Sequence, residues 1–209
     1  LSHLVELRSR LLKAGSCVLL LFLCMAPFSD FIFSSVALPL MRQLPEGSSM
    51  IATQVASPFL TPFKTTMFAA LFLSMPVVLY QIWSFVKPGL KLKEKKMASG
   101  LVFYVSLLFF LGILLGYFLV APLSVQFFGS YQISNQIENN FTISSYMSMI
   151  LSTVFYSGLF FLLPIVSYLL AKLEIIDPEF LKKYRRHAIV VILILAAVIT
   201  PPDIISQII

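Results

Sequence analysis

Charge is what this sequence has least of. Only 11% of its 209 residues are Asp, Glu, Lys or Arg, against 59% hydrophobic ones and a mean hydropathy of +0.95, where a soluble domain is about 25% charged. A water-soluble fold is excluded. Ionisable groups are scarcer still inside the apolar runs, where an ion-coupled transporter places its proton relay or substrate counter-ion, so a small-solute pump is disfavoured. There are two histidines, His3 and His187, and two cysteines, Cys17 and Cys24. No H-E-x-x-H, no phosphate-cradling G-x-x-x-x-G-K and no G-x-S-x-G occurs. Metal binding and nucleophilic catalysis have no residues to work with, and the chain is read as a non-enzyme without a cofactor. The cysteines lie about 10 Å apart along a helix, too far for a disulfide between them.

What the sequence has in quantity is uninterrupted apolar length. Residues 13–34, 63–86, 97–121 and 145–170 each suffice for the roughly 20 residues that cross about 30 Å of hydrocarbon as a helix. A fifth run, Ala188–Thr200, stops at Pro201-Pro202 and would be only about 20 Å long. A sixth opens at Ile204 and is expected to continue in a longer protein. The fold class expected is therefore all-α: one polytopic membrane domain with five transmembrane helices and the start of a sixth, preceded by an amphipathic helix over 1–12. The first run lacks an A-x-A-like exit and exceeds a signal peptide's apolar core of about 7–15 residues, so it stays as an anchor.

Basic residues fix the topology. Arg8, Arg10 and Lys13 precede the first span; Lys87, Lys91, Lys93, Lys95 and Lys96 follow the second; Lys172, Lys182, Lys183, Arg185 and Arg186 follow the fourth. Only Arg42 and Lys64 lie elsewhere. The positive-inside rule then makes the amino terminus and segments 87–96 and 171–187 cytoplasmic, with 35–62 and 122–144 outside. The net charge of +6 is thus a topology signal and an attraction to anionic lipid, about 1 kcal/mol per basic residue near the surface. No basic-aromatic platform for nucleic acid accompanies it. The two outer segments are long enough to require structure of their own. Pro27, Pro76 and Pro164 bend their spans, and Gly112 and Gly116 in GILLG allow close helix approach.

The candidate site residues are acids on the cytoplasmic rim. In LSHLVELRSRLL, Leu1, Leu4, Leu7 and Leu11 trace an apolar stripe while His3, Glu6, Arg10 and Lys13 fall opposite, so Glu6 is expected to face water or a ligand. It can pair within its helix with Arg10, worth about 0.3–0.5 kcal/mol, or receive a cation from outside. Glu94, in KPGLKLKEKK, can screen its lysines or do the same. Two carboxylates on one membrane face could receive two guanidinium groups, each charge-assisted bond contributing about 1.5–3 kcal/mol. Lysine lacks the planar fork and would bind less well.

SHLVELRSRLL, MIATQVASPFLTP, PVVLYQIWSFVKPGLKLKEKK and TPPDIISQ, in this order and spacing, resemble the TatC family, the signal-receptor core of the twin-arginine translocation system. The resemblance implies a six-helix, glove-like protein of the bacterial inner membrane with a cytoplasmic amino terminus. It implies binding of twin-arginine signal peptides of folded cargo, assembly with the single-span proteins TatA and TatB, self-association in a receptor complex, contact with membrane lipids, and export driven by the proton-motive force. By the same resemblance Glu6 and Glu94 hold the arginine pair. Arg8, Phe85 and Lys96 fall at sensitive signal-binding positions, Pro39 matches a structural outer-loop proline, and Thr200, Asp203 and Gln207 lie where partner helices dock. The chain departs from the family at Leu162, where many relatives carry a glutamate just before the proline of the fourth span. A membrane scaffold and a small-solute secondary transporter are the alternative functions.

Overall fold

A computed structural model describes residues 2–44, 49–86, 92–130 and 140–172, with short helical pieces at 184–187, 189–191 and 193–194. The chain is all-α. Helix α1 (Ser2–Met25) passes through a 3-10 turn at Ala26–Phe28 into α2 (Ser29–Met41). The break falls at Pro27, near the start of that turn, where a proline's missing N–H does least harm. Asp30 then sits in the first turn of α2, the end at which an acid complements the helix dipole. Helix α3 (Ser57–Val86) is followed by α4 (Leu92–Leu115), a π turn (Gly116–Val120), α5 (Ala121–Ser130) and α6 (Ile143–Lys172). Among the described residues four stretches are long and apolar enough to cross a membrane: Val5–Met41, Ser57–Phe85, Gly100–Ser130 and Ile143–Tyr168.

These helices overrun the apolar runs that announce them. The segment 35–62, read from composition as a loop, holds the end of α2 and the start of α3, and Pro39 lies in the last helical turn of α2 rather than in a loop. Pro39 is exposed while its neighbours Ala37 and Leu40 are buried, so its ring, unable to continue the hydrogen-bond ladder, faces outward. Segment 122–144 likewise begins inside α5. Between the helix ends, strand β1 (Ser49–Ile51) pairs in parallel with β2 (Asn140–Thr142), Met50 opposite Phe141. This pairing ties the lead-in of α3 to the lead-in of α6.

The π turn has a cause in the sequence. Pro122 can donate no N–H to the carbonyl of Phe118, and its ring would collide with that oxygen in a regular helix. The chain takes up one extra residue instead, with the Ala121 N–H donating to the Gly116 carbonyl, a pattern of single π turns. The same turn presents Tyr117, whose hydroxyl donates to the Val36 carbonyl at 3.0 Å.

Helix α6 is the hub: a third of its most apolar window is buried inside the protein, against 6% for Val5–Met41. One core, at the end marked by the strands, joins Ala37 and Leu40 to Ala121, Val125, Tyr146, Met147, Ile150 and Val154. The second joins Met75, Phe109 and Leu162. An aromatic chain links α3, α4 and α6, with the rings of Phe72 and Phe155 stacked at 6.2 Å and Phe68 and Phe109 edge-on to them. The α4–α6 crossing is closer than side chains allow. A Cβ on Gly112 would lie 2.8 Å from the Ser157 carbonyl oxygen and 2.9 Å from the Gly158 Cα. One on Gly158 would lie 2.7 Å from the Phe109 ring.

Several hydroxyls inside the bundle are satisfied locally, as hydrocarbon favours, while the buried Tyr146 hydroxyl has no partner among the described residues. Thr61, Thr65, Thr66, Ser106 and Ser124 each donate to a carbonyl of their own helix at 2.7–3.0 Å. Lys64 donates to the Ser148 hydroxyl at 2.7 Å, which in turn donates to the Ser144 carbonyl.

Candidate functional site

Helix α1 packs along α3, and the contact determines what Glu6 faces. The less exposed positions of α1 with described side chains are Glu6, Arg10, Ala14, Cys17, Val18, Leu21, Phe22 and Met25, a stripe at helical spacing. Leu7 and Leu11, expected to be the packed face, are instead 45% and 71% exposed. The bilayer inverts the rule of soluble helices: apolar side chains can face lipid, while the polar ones at the helix end turn toward protein. Glu6 therefore lies on the side of α1 that faces α3 and stays partly exposed there, while Leu7 and Leu11 are the exposed positions.

Between the two helices lies a cleft of about 730 Å³ lined by Val5, Glu6, Ser9, Arg10, Lys13, Tyr80, Gln81 and Ser84. Within it Arg10 donates from Nη2 at 2.6 Å and from Nε at 3.1 Å, both to Oε1 of Glu6. The intrahelical pair is thus formed. It does not seal the acid: the Glu6 side chain is 38% exposed, the Arg10 side chain 23%. Glu6 Oε2 accepts nothing among the described residues, and Gln81 and Ser84 make no hydrogen bond among them either. Among the described lining residues Glu6 is the only acid, and Arg10 and Lys13 are the bases.

Because Glu6 at the start of α1 meets Tyr80, Gln81 and Ser84 near the end of α3, the two helices run antiparallel. Helix α4 begins six residues after α3 ends, which brings the helical turn carrying Glu94 and Lys96 to the same end of the bundle as Glu6. The side chains of Glu94 and Lys96 lie outside the described ones. Phe85, half-buried, sits one residue from the end of α3. Arg8 is separated from Glu6: it lines a different groove, of about 840 Å³, along α1 with Leu12, Cys17 and Cys24. Thr200, Asp203, Gln207 and most of the fifth and sixth runs lie outside the described residues. The wall formed by Tyr80, Gln81 and Ser84 was missed in the sequence; its signal was three polar side chains at i, i+1 and i+4 closing an apolar span.

Leu162 is 9% exposed and packs with Met75 and Phe109. The position is filled by hydrocarbon that packs on apolar side chains. Among the described residues no three His, Cys, Asp or Glu side chains cluster as metal ligands.

Fold and site together define a multi-pass α-helical membrane protein with an acid-bearing cleft at one end of its bundle. Residues 2–209 match the family model described as Sec-independent protein translocase protein (TatC). The chain is 43% identical over 209 residues to a Sec-independent protein translocase protein TatC of Halothiobacillus neapolitanus, covering 99% of this chain and 56% of that protein. It is 40% identical over 207 residues to the protein of that name from Escherichia coli K12, covering 99% and 80%. A solved structure described as the twin arginine translocase receptor TatC superposes with a TM-score of 0.83 at 31% identity, over 99% of this chain and 90% of that one. The chain belongs to the TatC family, whose members are translocase components and not enzymes. It spans little more than half the length of the Halothiobacillus relative.

Proposed function

We propose that the protein is the receptor subunit of a twin-arginine translocase, lying in the bacterial inner membrane with its amino terminus in the cytoplasm. Glu6 receives one guanidinium of a signal peptide's arginine pair and Glu94 the other, with Arg8, Phe85 and Lys96 shaping the surrounding surface. The single observation that carries this reading is the cleft between α1 and α3, in which a partly exposed carboxylate shares the lining with Gln81 and Ser84, neither hydrogen-bonded among the described residues, at the bundle end shared with the Glu94 turn. A bidentate guanidinium fits a carboxylate better than a lysine ammonium does, and that difference supplies selectivity for arginine. TatA and TatB dock at the turn holding Thr200, Asp203 and Gln207, further copies of the chain complete a receptor complex, and the proton-motive force drives transport of the folded cargo.

The test is binding of a synthetic Arg-Arg signal peptide and its Lys-Lys variant to the solubilised chain. Tight binding of the first alone, lost in Glu6→Gln and Glu94→Gln, is the expected result. Equal binding of both peptides, or none, would favour a membrane scaffold.

A further inference from the structure

Arg10 occupies the carboxylate that the proposed function assigns to cargo. Its Nη2 and Nε both donate to Glu6 Oε1, at 2.6 and 3.1 Å, so a guanidinium already holds one oxygen of the carboxylate that an incoming bidentate guanidinium would need. Arg10 is also the less exposed partner, held on the face of α1 that packs toward α3. The cleft holds one acid and two bases among its described lining residues, so in the resting protein the one carboxylate described there is already engaged by a cation. The other oxygen, Oε2, accepts nothing among the described residues, and on a side chain that is 38% exposed it gives an arriving cation a foothold before Arg10 is displaced.

We infer that Arg10 is an internal competitor for the arginine site: it mimics the cargo's guanidinium, holds Glu6 in the empty receptor, and sets the affinity threshold that a signal peptide must exceed. This rests on the receptor reading above. The threshold is a constant offset. Displacing Arg10 costs the same whichever cation replaces it, so the competitor weakens arginine and lysine peptides by one common factor and leaves their ratio untouched. The ratio is set by the geometry at the carboxylates. The same factor applies to stray cations and basic segments of other proteins, so a ligand that brings two guanidinium groups and an apolar segment clears the threshold through its other contacts and not through a smaller cost at Glu6.

The size of the effect follows from the pair's geometry. Release of an exposed i,i+4 pair is worth about twofold. Removing one positive charge a few ångströms from a doubly charged ligand adds about twofold more, reduced by salt. Arg10→Gln should therefore tighten binding of the Arg-Arg peptide about three- to fivefold, and of the Lys-Lys peptide by the same factor. Arg10→Lys, which keeps the charge and loses the fork, should fall between.

The experiment is a fluorescence-anisotropy titration of both peptides against the detergent-solubilised full chain and its Arg10→Gln, Arg10→Lys, Glu6→Gln and double Glu6→Gln/Arg10→Gln variants, each checked for monodisperse elution. The inference predicts parallel tightening of about three- to fivefold in Arg10→Gln and no more than about twofold, the charge effect alone, when Glu6 is already Gln. If Arg10 instead orients Glu6 or only stabilises the helix, Arg10→Gln weakens binding or leaves it unchanged, and the inference is overturned. The two readings fail separately: indifference of binding to Glu6→Gln removes the receptor assignment, whereas a loss in Glu6→Gln without a gain in Arg10→Gln removes only the competitor.

Discussion

Replacing Gly112 by alanine should destabilise the bundle although alanine is the better helix former. The substitution gains about 0.8–1.0 kcal/mol of helix propensity. Against this, the added Cβ would stand 2.8 Å from the Ser157 carbonyl oxygen, 2.9 Å from the Gly158 Cα and 2.9 Å from the Phe161 Cβ, where nonbonded carbons prefer about 3.5–4.0 Å. Two of these neighbours are backbone, so relief requires α4 and α6 to part by several tenths of an ångström along their crossing. Overpacking of this kind costs about 1–3 kcal/mol, leaving a net loss of up to about 2 kcal/mol. For a chain of this size that lowers the melting temperature by up to roughly 8 °C. Gly15→Ala is the internal control, since nothing lies within 4 Å of its Cβ position and only the propensity gain remains. Thermal unfolding of the solubilised variants, followed by loss of the monodisperse elution peak, should place Gly112→Ala below the parent and Gly15→Ala at or above it. Equal stability of the two variants would refute the view that the crossing is set by backbone contact.

Three other outcomes follow from particular side chains. Tyr117→Phe removes a hydrogen bond that joins the π turn to α2 and should cost about 0.5–1.5 kcal/mol; Tyr146→Phe removes a buried hydroxyl with no partner among the described residues and should cost nothing in the same melting assay. Leu162→Gln places an amide in the core of Met75 and Phe109, at about 1–3 kcal/mol for an unpaired polar group, while Leu162→Met should stay within about 1.5 kcal/mol of the parent. Peptide binding should weaken steeply as salt is raised from low ionic strength, because paired charges at a partly exposed carboxylate are screened over a Debye length of about 8 Å at 0.15 M; binding indifferent to salt would speak against carboxylate pairing.

Hydropathy made the four described spans legible, because only a helix satisfies its own backbone in hydrocarbon and about 20 apolar residues are its minimum length. It could not mark their ends. Ser57 and Pro58 open α3 with polar and proline residues well before the apolar run, as helix starts permit, and α2 continues through Pro39. The acids and bases at the start of α1 were visible as a cluster, and their helical spacing was read correctly. Which way the cluster turns was not, because a stripe of leucines faces lipid as readily as protein, and only the packing of α1 on α3 decides. The Pro122 π turn and the Tyr80–Gln81–Ser84 wall had signals in single residues whose meaning depends on neighbours distant in sequence. The substitution at Leu162 was legible as a departure from family pattern, and the structure supplies its physical content: a site lined by methionine and phenylalanine, with no polar partner described there.

The central claim is that carboxylates at one end of the bundle discriminate guanidinium from ammonium. Its most direct measurement is the ratio of Lys-Lys to Arg-Arg peptide dissociation constants for the parent chain and for Glu6→Gln and Glu94→Gln. The account predicts a ratio of at least about tenfold in the parent, from one extra charge-assisted hydrogen bond, falling toward one in each variant. A parent ratio near one, or a large ratio that survives both substitutions, would contradict it.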